Sequence, residues 1–300
     1  MVKKTEFICE FTTNHMGNLN LLLEMVKKAA ETGADYIKMQ KKDVDSFYSK
    51  QKLDSIYKSP YGKTYRDYRK VFEFNKRDFD IFDQECKKNN IEWFATAQDY
   101  PSLEFLLEYN LPMYKIASCN ADKIDFLKDC SKLIPKDKTV IVSCAGRSFS
   151  DIDNLVSIFN GYKMIINHCV AEYPCKEENL RLGNISWLRD FVKTENIKVG
   201  YSGHEEGYIS ALAAIELGAE CIEKHFCLSR DSFVHHIECS LKPNEFKSMV
   251  DLSKHIEYGQ RIYCDKLKKE AFFVKDGMST MEEAFLKRNK YGSDFLKKHK

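Results

Sequence analysis

Apolar positions along the chain fall into two alternating kinds of segment. Short β-rich runs occupy 6–11, 35–40, 92–97, 113–118, 139–144, 163–169, 197–202 and 220–226. Between them apolar residues recur every three or four positions, as in 19–30, where Leu22, Met25, Val26 and Ala29 share one helical face. Further helical patterns cover 76–90, 101–109, 121–131, 150–159, 182–195, 207–217 and 243–259. Eight strands, each followed by a helix, predict an α/β chain whose parallel sheet closes into a (β/α)8 TIM barrel; an open doubly wound sheet is the alternative. A repeated junction supports the repeat unit. Gly33-Ala34-Asp35-Tyr36-Ile37-Lys38 echoes Gly218-Ala219-Glu220-Cys221-Ile222-Glu223, each placing glycine at a helix stop just before a strand.

Two stretches fall outside the repeat. Residues 41–75 form a long insertion between the second strand and its helix, carrying Phe47, Tyr48, Tyr57, Tyr61, Tyr65 and Tyr68 among lysines. A connection of that length at the strand-exit side is expected to be a lid or a subunit contact. Residues 261–300 form a C-terminal extension to a barrel domain spanning 1–260, too short for a full second domain. Ser279-x-x-Glu282 reads as a capping box for a short helix, and the basic end Lys297-Lys298-His299-Lys300 as a solvated tail. The last helix delivers this extension to the opposite end of the barrel. The insertion is therefore the expected lid, and the extension is expected to pack on the barrel wall or on a neighbouring subunit.

Composition narrows the class. Forty-seven basic and 45 acidic residues leave a net charge of +2, so no whole-chain field points to nucleic acid or membrane. Thirteen glycines and six prolines exclude collagen-like and most low-complexity chains. No 18-residue apolar run exists, and the N-terminus turns charged too soon for a signal-peptide core. The eleven cysteines include no C-x-x-C pair and sit mostly in apolar segments, which fits small buried hydrophobes in a reducing cytoplasm.

Function in such a barrel sits at the C-terminal strand ends. In chain order those ends carry Glu10 with Asn14 and His15, Lys38 and Gln40, Lys115 and Ser118, Ser143, His168, Ser202 and His204, and Glu223, Lys224 and His225. Core strands of a closed barrel should be apolar, so this polar ring needs a cause. Its lysines and small hydroxyls suit phosphate oxygens. Two histidines on adjacent strand ends, His204 and His225, suit a divalent metal with open positions. Taken singly, each has a plainer reading. A lone histidine is more often hydrogen-bonded structure, Lys38 or Lys115 could pair with Glu10 or Glu223, and the serines could satisfy local backbone. His15 and His168 stand as further candidate contacts. No Gly-rich nucleotide loop is present.

Beyond these patterns, the chain resembles the sialic acid synthase family over nearly all of 6–260. The likeness rests on Glu10 with Asn14-His15-x-Gly17, Lys38-x-Gln40, Tyr114-Lys115-Ile116-Ala117-Ser118, and His168-Cys169 with Tyr173-Pro174. It continues through Gly200-Tyr201-Ser202-x-His204, Ile222-Glu223-Lys224-His225-Phe226 and Ser240-Leu241-x-Pro243. The resemblance implies metal-dependent condensation of phosphoenolpyruvate with an aldose, N-acetylmannosamine-like or related. The products would be phosphate and a 3-deoxy-2-keto sugar acid for surface polysaccharide. It implies that Lys38, Gln40, Lys115, Ser118, Ser143 and Ser202 hold phosphoenolpyruvate, and that His204 and His225 hold a divalent ion, Mn2+ or else Mg2+ or Co2+. Glu10, Lys115 and His225 would be the catalytic groups, with Glu10, Tyr173 and His236 toward the sugar.

The pattern is broken on the acceptor side. Val170-Ala171 replaces a hydroxyl-then-amide or hydroxyl pair, Gly203 replaces an aspartate, and Val234-His235-His236-Ile237 replaces a Gly-Pro-Asp-His stretch. The family's C-terminal antifreeze-like domain has no counterpart in 261–300. A metal-dependent lyase or hydrolase on the same barrel, or a subunit that borrows a cap from a partner, are the competing expectations. A homodimer is compatible with all of them.

Overall fold

The computed structural model describes residues 5–192, 194–257, 271, 277–278 and 281–283. The chain opens with β1 (Glu6–Glu10), α1 (Leu19–Ala30) and β2 (Tyr36–Lys41). The insertion follows as α2 (Val44–Phe47), α3 (Lys50–Leu53), the hairpin β3 (Ile56–Ser59) and β4 (Gly62–Thr64), and α4 (Tyr65–Lys70). Regular alternation then resumes with α5 (Lys76–Lys88), β5 (Glu92–Ala97), α6 (Tyr100–Leu107), β6 (Met113–Ile116), α7 (Ile124–Leu133), β7 (Thr139–Ser143) and α8 (Phe149–Ile158). It ends with β8 (Lys163–Cys169), α9 (Gly183–Val192), β9 (Ile197–Gly203), α10 (Ile209–Glu216), β10 (Cys221–His225) and α11 (Pro243–Glu257). The eight strands outside the insertion pair in parallel in the order β1-β10-β9-β8-β7-β6-β5-β2, and β2 returns to β1. The sheet is a closed barrel, which excludes the open alternative. No described helix is long and apolar enough to cross a membrane.

Local chemistry explains the punctuation. Asn18 caps α1 by accepting from the Leu21 amide, and α1 buries Leu22, Met25, Val26 and Ala29, the face its spacing predicts. Reciprocal capping boxes start α5 (Asn75 with Asp78) and α8 (Ser148 with Asp151). Gly33 and Gly218 adopt φ of +83° and +98°, left-handed values that let α1 and α10 stop and turn into the next strand.

Alternate strand positions fill the barrel interior. The lowest layer is apolar: Ile8, Phe94, Met113, Ile141, Ile165 and Cys221 pack together, with Tyr36 against them. Two residues further along the same strands the inward positions become Glu10, Thr96, Lys115, Ser143, Asn167 and Glu223, and Lys38 follows Tyr36. The change from oil to charge inside one barrel marks where packing ends and the site begins.

The C-terminal extension lies largely outside the described residues, as does Ser279 of the expected capping box. Its described fragments do pack on the barrel wall, yet they reach the mouth side as well. Glu282 accepts from the Ala171 amide (3.3 Å) and from Arg181 Nη1 (3.2 Å), and Met278 packs against Ala145, Cys169 and Ala171. The expectation that only the insertion serves this end is corrected accordingly.

Candidate active site

One cavity of about 350 Å3 opens at the C-terminal end of the barrel. It brings together the residues that the family resemblance assigns to the site: Glu10, Lys38, Gln40, Lys115, Ser118, Ser143, Tyr173, Ser202, His204, His225 and His236 all line it. The insertion forms part of its wall through Phe47, Tyr48, Tyr57 and Tyr65, whereas Tyr61 and Tyr68 stack behind them. Tyr57 Oη meets His235 Nε2 at 2.7 Å and ties the insertion to the segment after β10.

The floor is a buried charge quartet. Lys38 pairs with Glu10 and lies 3.6 Å from Glu223, while Lys115 Nζ contacts both Glu223 oxygens at 2.6 Å. All four residues are no more than 4% exposed. Burial opposes ionisation of Glu223, but Lys115 and Lys38 outweigh it and push its pKa down to about 2. For Glu10 burial wins over Lys38, and its pKa is raised. The plainer reading of the lysines thus holds as geometry: each has a carboxylate partner. It does not remove them from the site, since both line the cavity and carry donors beyond those pairs. Thr96 accepts from Lys38 Nζ at 3.0 Å, and Gln40 Nε2 donates to Glu10 Oε1 at 2.7 Å. The Ser143 hydroxyl is buried on the cavity wall, within reach of the Cys169 thiol.

The two candidate metal histidines face each other across the cavity rim. Their ring centroids are 5.5 Å apart at an interplanar angle of 82°. His204 Nδ1 bonds the Val170 carbonyl at 2.7 Å, which turns Nε2 toward the cavity. Burial lowers the pKa of His204 to about 4 and that of His225 well below its ordinary value, so both rings are neutral near pH 7. A metal–nitrogen distance of about 2.1 Å puts two ligand rings on one ion about 5 Å apart, centre to centre. The observed spacing fits. No group of three or more His, Cys, Asp or Glu side chains is arranged for a metal among the described residues. Tyr173 lies between His204 and His236, with centroid distances of 4.2 and 4.0 Å.

His15 and His168 do not line the cavity. His15 accepts from the Gly17 amide at Nδ1 and leans on Phe74; His168 Nε2 bonds the Leu180 carbonyl and its ring stacks on Tyr201. Asn14 donates to the Phe226 carbonyl and Ser240, fastening the loop after β1 to the exit of β10. These motif residues are architecture. Conversely, Thr12, Lys42, Arg69 and Thr96 line the cavity without having been singled out from the sequence. Thr96 had a legible signal, because it continues the inward parity of β5.

Comparison with known proteins agrees with this geometry. The sequence profile of the NeuB family matches residues 25–261. The chain belongs to that family. It is 32% identical over 257 residues to the N-acetylneuraminate-9-phosphate synthase of Drosophila melanogaster, covering 83% of this chain and 67% of that protein. It is 32% identical over 281 residues to the N,N'-diacetyllegionaminic acid synthase of Campylobacter jejuni, covering 89% and 80%. The N-acetylneuraminic acid synthetase of Leptospira borgpetersenii, solved with citrate, superposes with a TM-score of 0.76 at 31% identity over 86% of this chain and 85% of that one. The chain is accordingly an enzyme of the sugar-acid synthase class.

Proposed function

We propose that this NeuB-family enzyme condenses phosphoenolpyruvate with an aldose, releasing phosphate and a 3-deoxy-2-keto sugar acid of the nonulosonate kind. The observation that carries the reading is the sharing of one cavity by a cationic, hydroxyl-lined floor and a pair of neutral histidines. Lys38 and Lys115 are held in place by Glu10 and Glu223, so their remaining donors are aimed before an anion arrives. Ser118, Ser143 and Ser202 line the same cavity, and their hydroxyls can donate to phosphate oxygens that enter. Gln40 is fixed by Glu10 beside them. Glu10, the carboxylate whose pKa is raised, stands where the acceptor's hydroxyls would meet it.

The chemistry forms a bond from the methylene carbon of phosphoenolpyruvate to the aldehyde carbon. Water then adds to the phosphate-bearing carbon, and the carbon–oxygen bond to phosphate breaks. His204 and His225 would hold a manganese-type divalent ion, which as a Lewis acid makes the aldehyde a better electrophile. Nine of the ten described cysteines are buried thiols, which supports work in a reducing cytoplasm.

The test is phosphate release with phosphoenolpyruvate, Mn2+ and a panel of aldoses, with the product weighed by mass spectrometry. Release must require both substrates, and the product mass must equal their sum plus water minus phosphoric acid. Phosphate from phosphoenolpyruvate alone, or no product with any aldose, would overturn the reading in favour of a lyase, a hydrolase or a partner-dependent subunit.

A further inference from the structure

Behind the histidine wall, one peptide group is held at both of its ends. The Val170 carbonyl accepts from His204 Nδ1 at 2.7 Å, and the N–H of the same peptide unit, at Ala171, donates to Glu282 Oε1 at 3.3 Å. A carbonyl has no proton to give, so Nδ1 carries the hydrogen and Nε2 keeps its lone pair for the cavity. The same loop then supplies Tyr173, whose ring lies 4.2 Å from that of His204.

Glu282 reaches this peptide from 111 positions further along the chain. It is 1% exposed, and its second oxygen, Oε2, accepts from Arg181 Nη1 at 3.2 Å. The same nitrogen donates to the Gly277 carbonyl at 3.2 Å, and Arg181 itself holds a left-handed φ of +50°. Such a backbone persists in an arginine only where its surroundings fix it. Beside it the Leu182 amide donates to the Ala271 carbonyl at 2.5 Å, and Met278 packs against Ala145, Cys169 and Ala171. A buried ion pair adds little to stability by itself, and an apolar pair of similar volume often serves as well. An apolar pair has no oxygen to offer the Ala171 amide.

We propose that Glu282 is a positioning residue for His204, acting through the Val170–Ala171 peptide. The inference rests on the reading of His204 as a metal ligand and makes the C-terminal extension part of that site. A carboxylate that accepts from a peptide N–H draws the amide's electrons toward its carbonyl oxygen, so each bond in the chain strengthens the next. The Val170 oxygen becomes a better acceptor for the Nδ1 proton. That fixes the rotation and tautomer of the ring and makes Nε2 a better donor to a cation. Arg181 occupies Oε2 and so leaves Oε1 aimed at the amide.

Two readouts test this on the full chain: the NMR resonance of the His204 Nδ1 proton in metal-free protein, assigned by its loss in His204→Ala, and Mn2+ affinity by equilibrium dialysis. Glu282→Ala should move the resonance upfield and weaken Mn2+ binding by about tenfold, whereas Glu282→Gln, which keeps an oxygen for the amide, should stay within about threefold of the parent. Should Glu282→Ala fail to fold, Arg181→Met/Glu282→Met removes both buried charges together and should show the same loss. Met278→Ala loosens the packing of the extension but keeps the carboxylate. It should lower the unfolding temperature while changing Mn2+ affinity by less than about twofold. An unmoved resonance with unchanged affinity in the variants that lack the carboxylate overturns the proposal. An equal loss in Met278→Ala also overturns it, by reducing Glu282 to a fastening of the extension. If the parent binds no Mn2+, or His204→Ala binds it as well as the parent, the metal reading falls, and the resonance alone decides whether Glu282 orients the ring.

Discussion

Glu223→Gln tests whether the floor works as a neutral, preloaded anion site. Glu223 is the carboxylate that Lys115 contacts through both oxygens at 2.6 Å, and it also faces Lys38 at 3.6 Å, whereas Lys38 keeps Glu10. At an effective dielectric constant near 20 those contacts amount to about 6 and about 5 kcal/mol of Coulomb attraction, most of it offset by the desolvation of all four groups. The net cost of breaking such a buried pair is about 3–5 kcal/mol, because Lys115 is left as an uncompensated buried cation. Lys115→Met should cost a similar amount for the opposite reason. The double variant Glu223→Gln/Lys115→Met removes both charges and should be destabilised by less than the two single losses together, with a coupling of at least about 2 kcal/mol. Urea unfolding of the four proteins gives the cycle. A companion measurement uses phosphate as ligand. The unbalanced Glu223→Gln site should gain more stability from added phosphate than the parent does, by mass action on the folded state. Additivity within about 0.5 kcal/mol, or equal stabilisation by phosphate, would refute the idea that this quartet is one electrostatic unit.

Three further outcomes are expected. His204→Ala or His225→Ala should abolish divalent-ion-dependent turnover while leaving thermal unfolding within a few degrees of the parent; full turnover in the double variant, or in chelator, would remove both from the metal role. Gly203→Ala should destabilise the fold by about 1–3 kcal/mol in denaturant titration, because a Cβ there would stand 2.7 Å from the Glu205 carboxylate and from the Tyr201 ring; a neutral result would mean that Glu205 swings away freely. Lys42, with its pKa depressed from 10.5 to about 8 chiefly by burial, releases its proton earlier in the fold than in the unfolded chain. The parent's stability should therefore rise relative to Lys42→Met between about pH 8 and 10.5, by up to about 3 kcal/mol, and a flat difference across that window would contradict the burial of a charged amine.

The barrel was legible because its signals repeat. Eight apolar strand segments, helices with one oily face and two matching glycine stops all point to the same closure. The site was legible where inward parity coincided with a chemically odd residue, as at Lys38, Gln40, Lys115 and Ser143. It was illegible where parity ran on into a charge run. In Lys41-Lys42 two like residues part company: Lys41 turns outward to Glu73 and the Phe74 carbonyl while Lys42 turns inward to the cavity. The insertion was opaque for another reason. Its strands are four and three residues long, too short to show a period of two, and nothing in Tyr65-Arg66-Asp67-Tyr68-Arg69-Lys70 says that Arg66 meets two aspartates while Arg69 is buried among rings.

The departures from the family pattern separate into two kinds once they are placed. Gly203 lies on the outward side of β9, opposite in parity to Ser202 and His204, and it does not line the cavity. The space a side chain would need there holds the Glu205 carboxylate, which Lys224 and Tyr201 fix at 3.1 and 2.7 Å. Lys224, itself on the outward side of β10, is fully buried, so Gly203, Glu205 and Lys224 form one coupled packing solution behind the histidines. Ile237 is likewise buried and does not line the cavity. Ala171, His235 and His236 are the departures that line the cavity. Ala171 brings no polar group to that wall, His236 adds an imidazole against Tyr173 with its ring 6.4 Å from that of His225, and His235 meets Tyr57 Oη. Three changes at the wall, with Lys38, Gln40, Lys115 and the serines kept on the floor, place the departures where a pocket discriminates between related substrates.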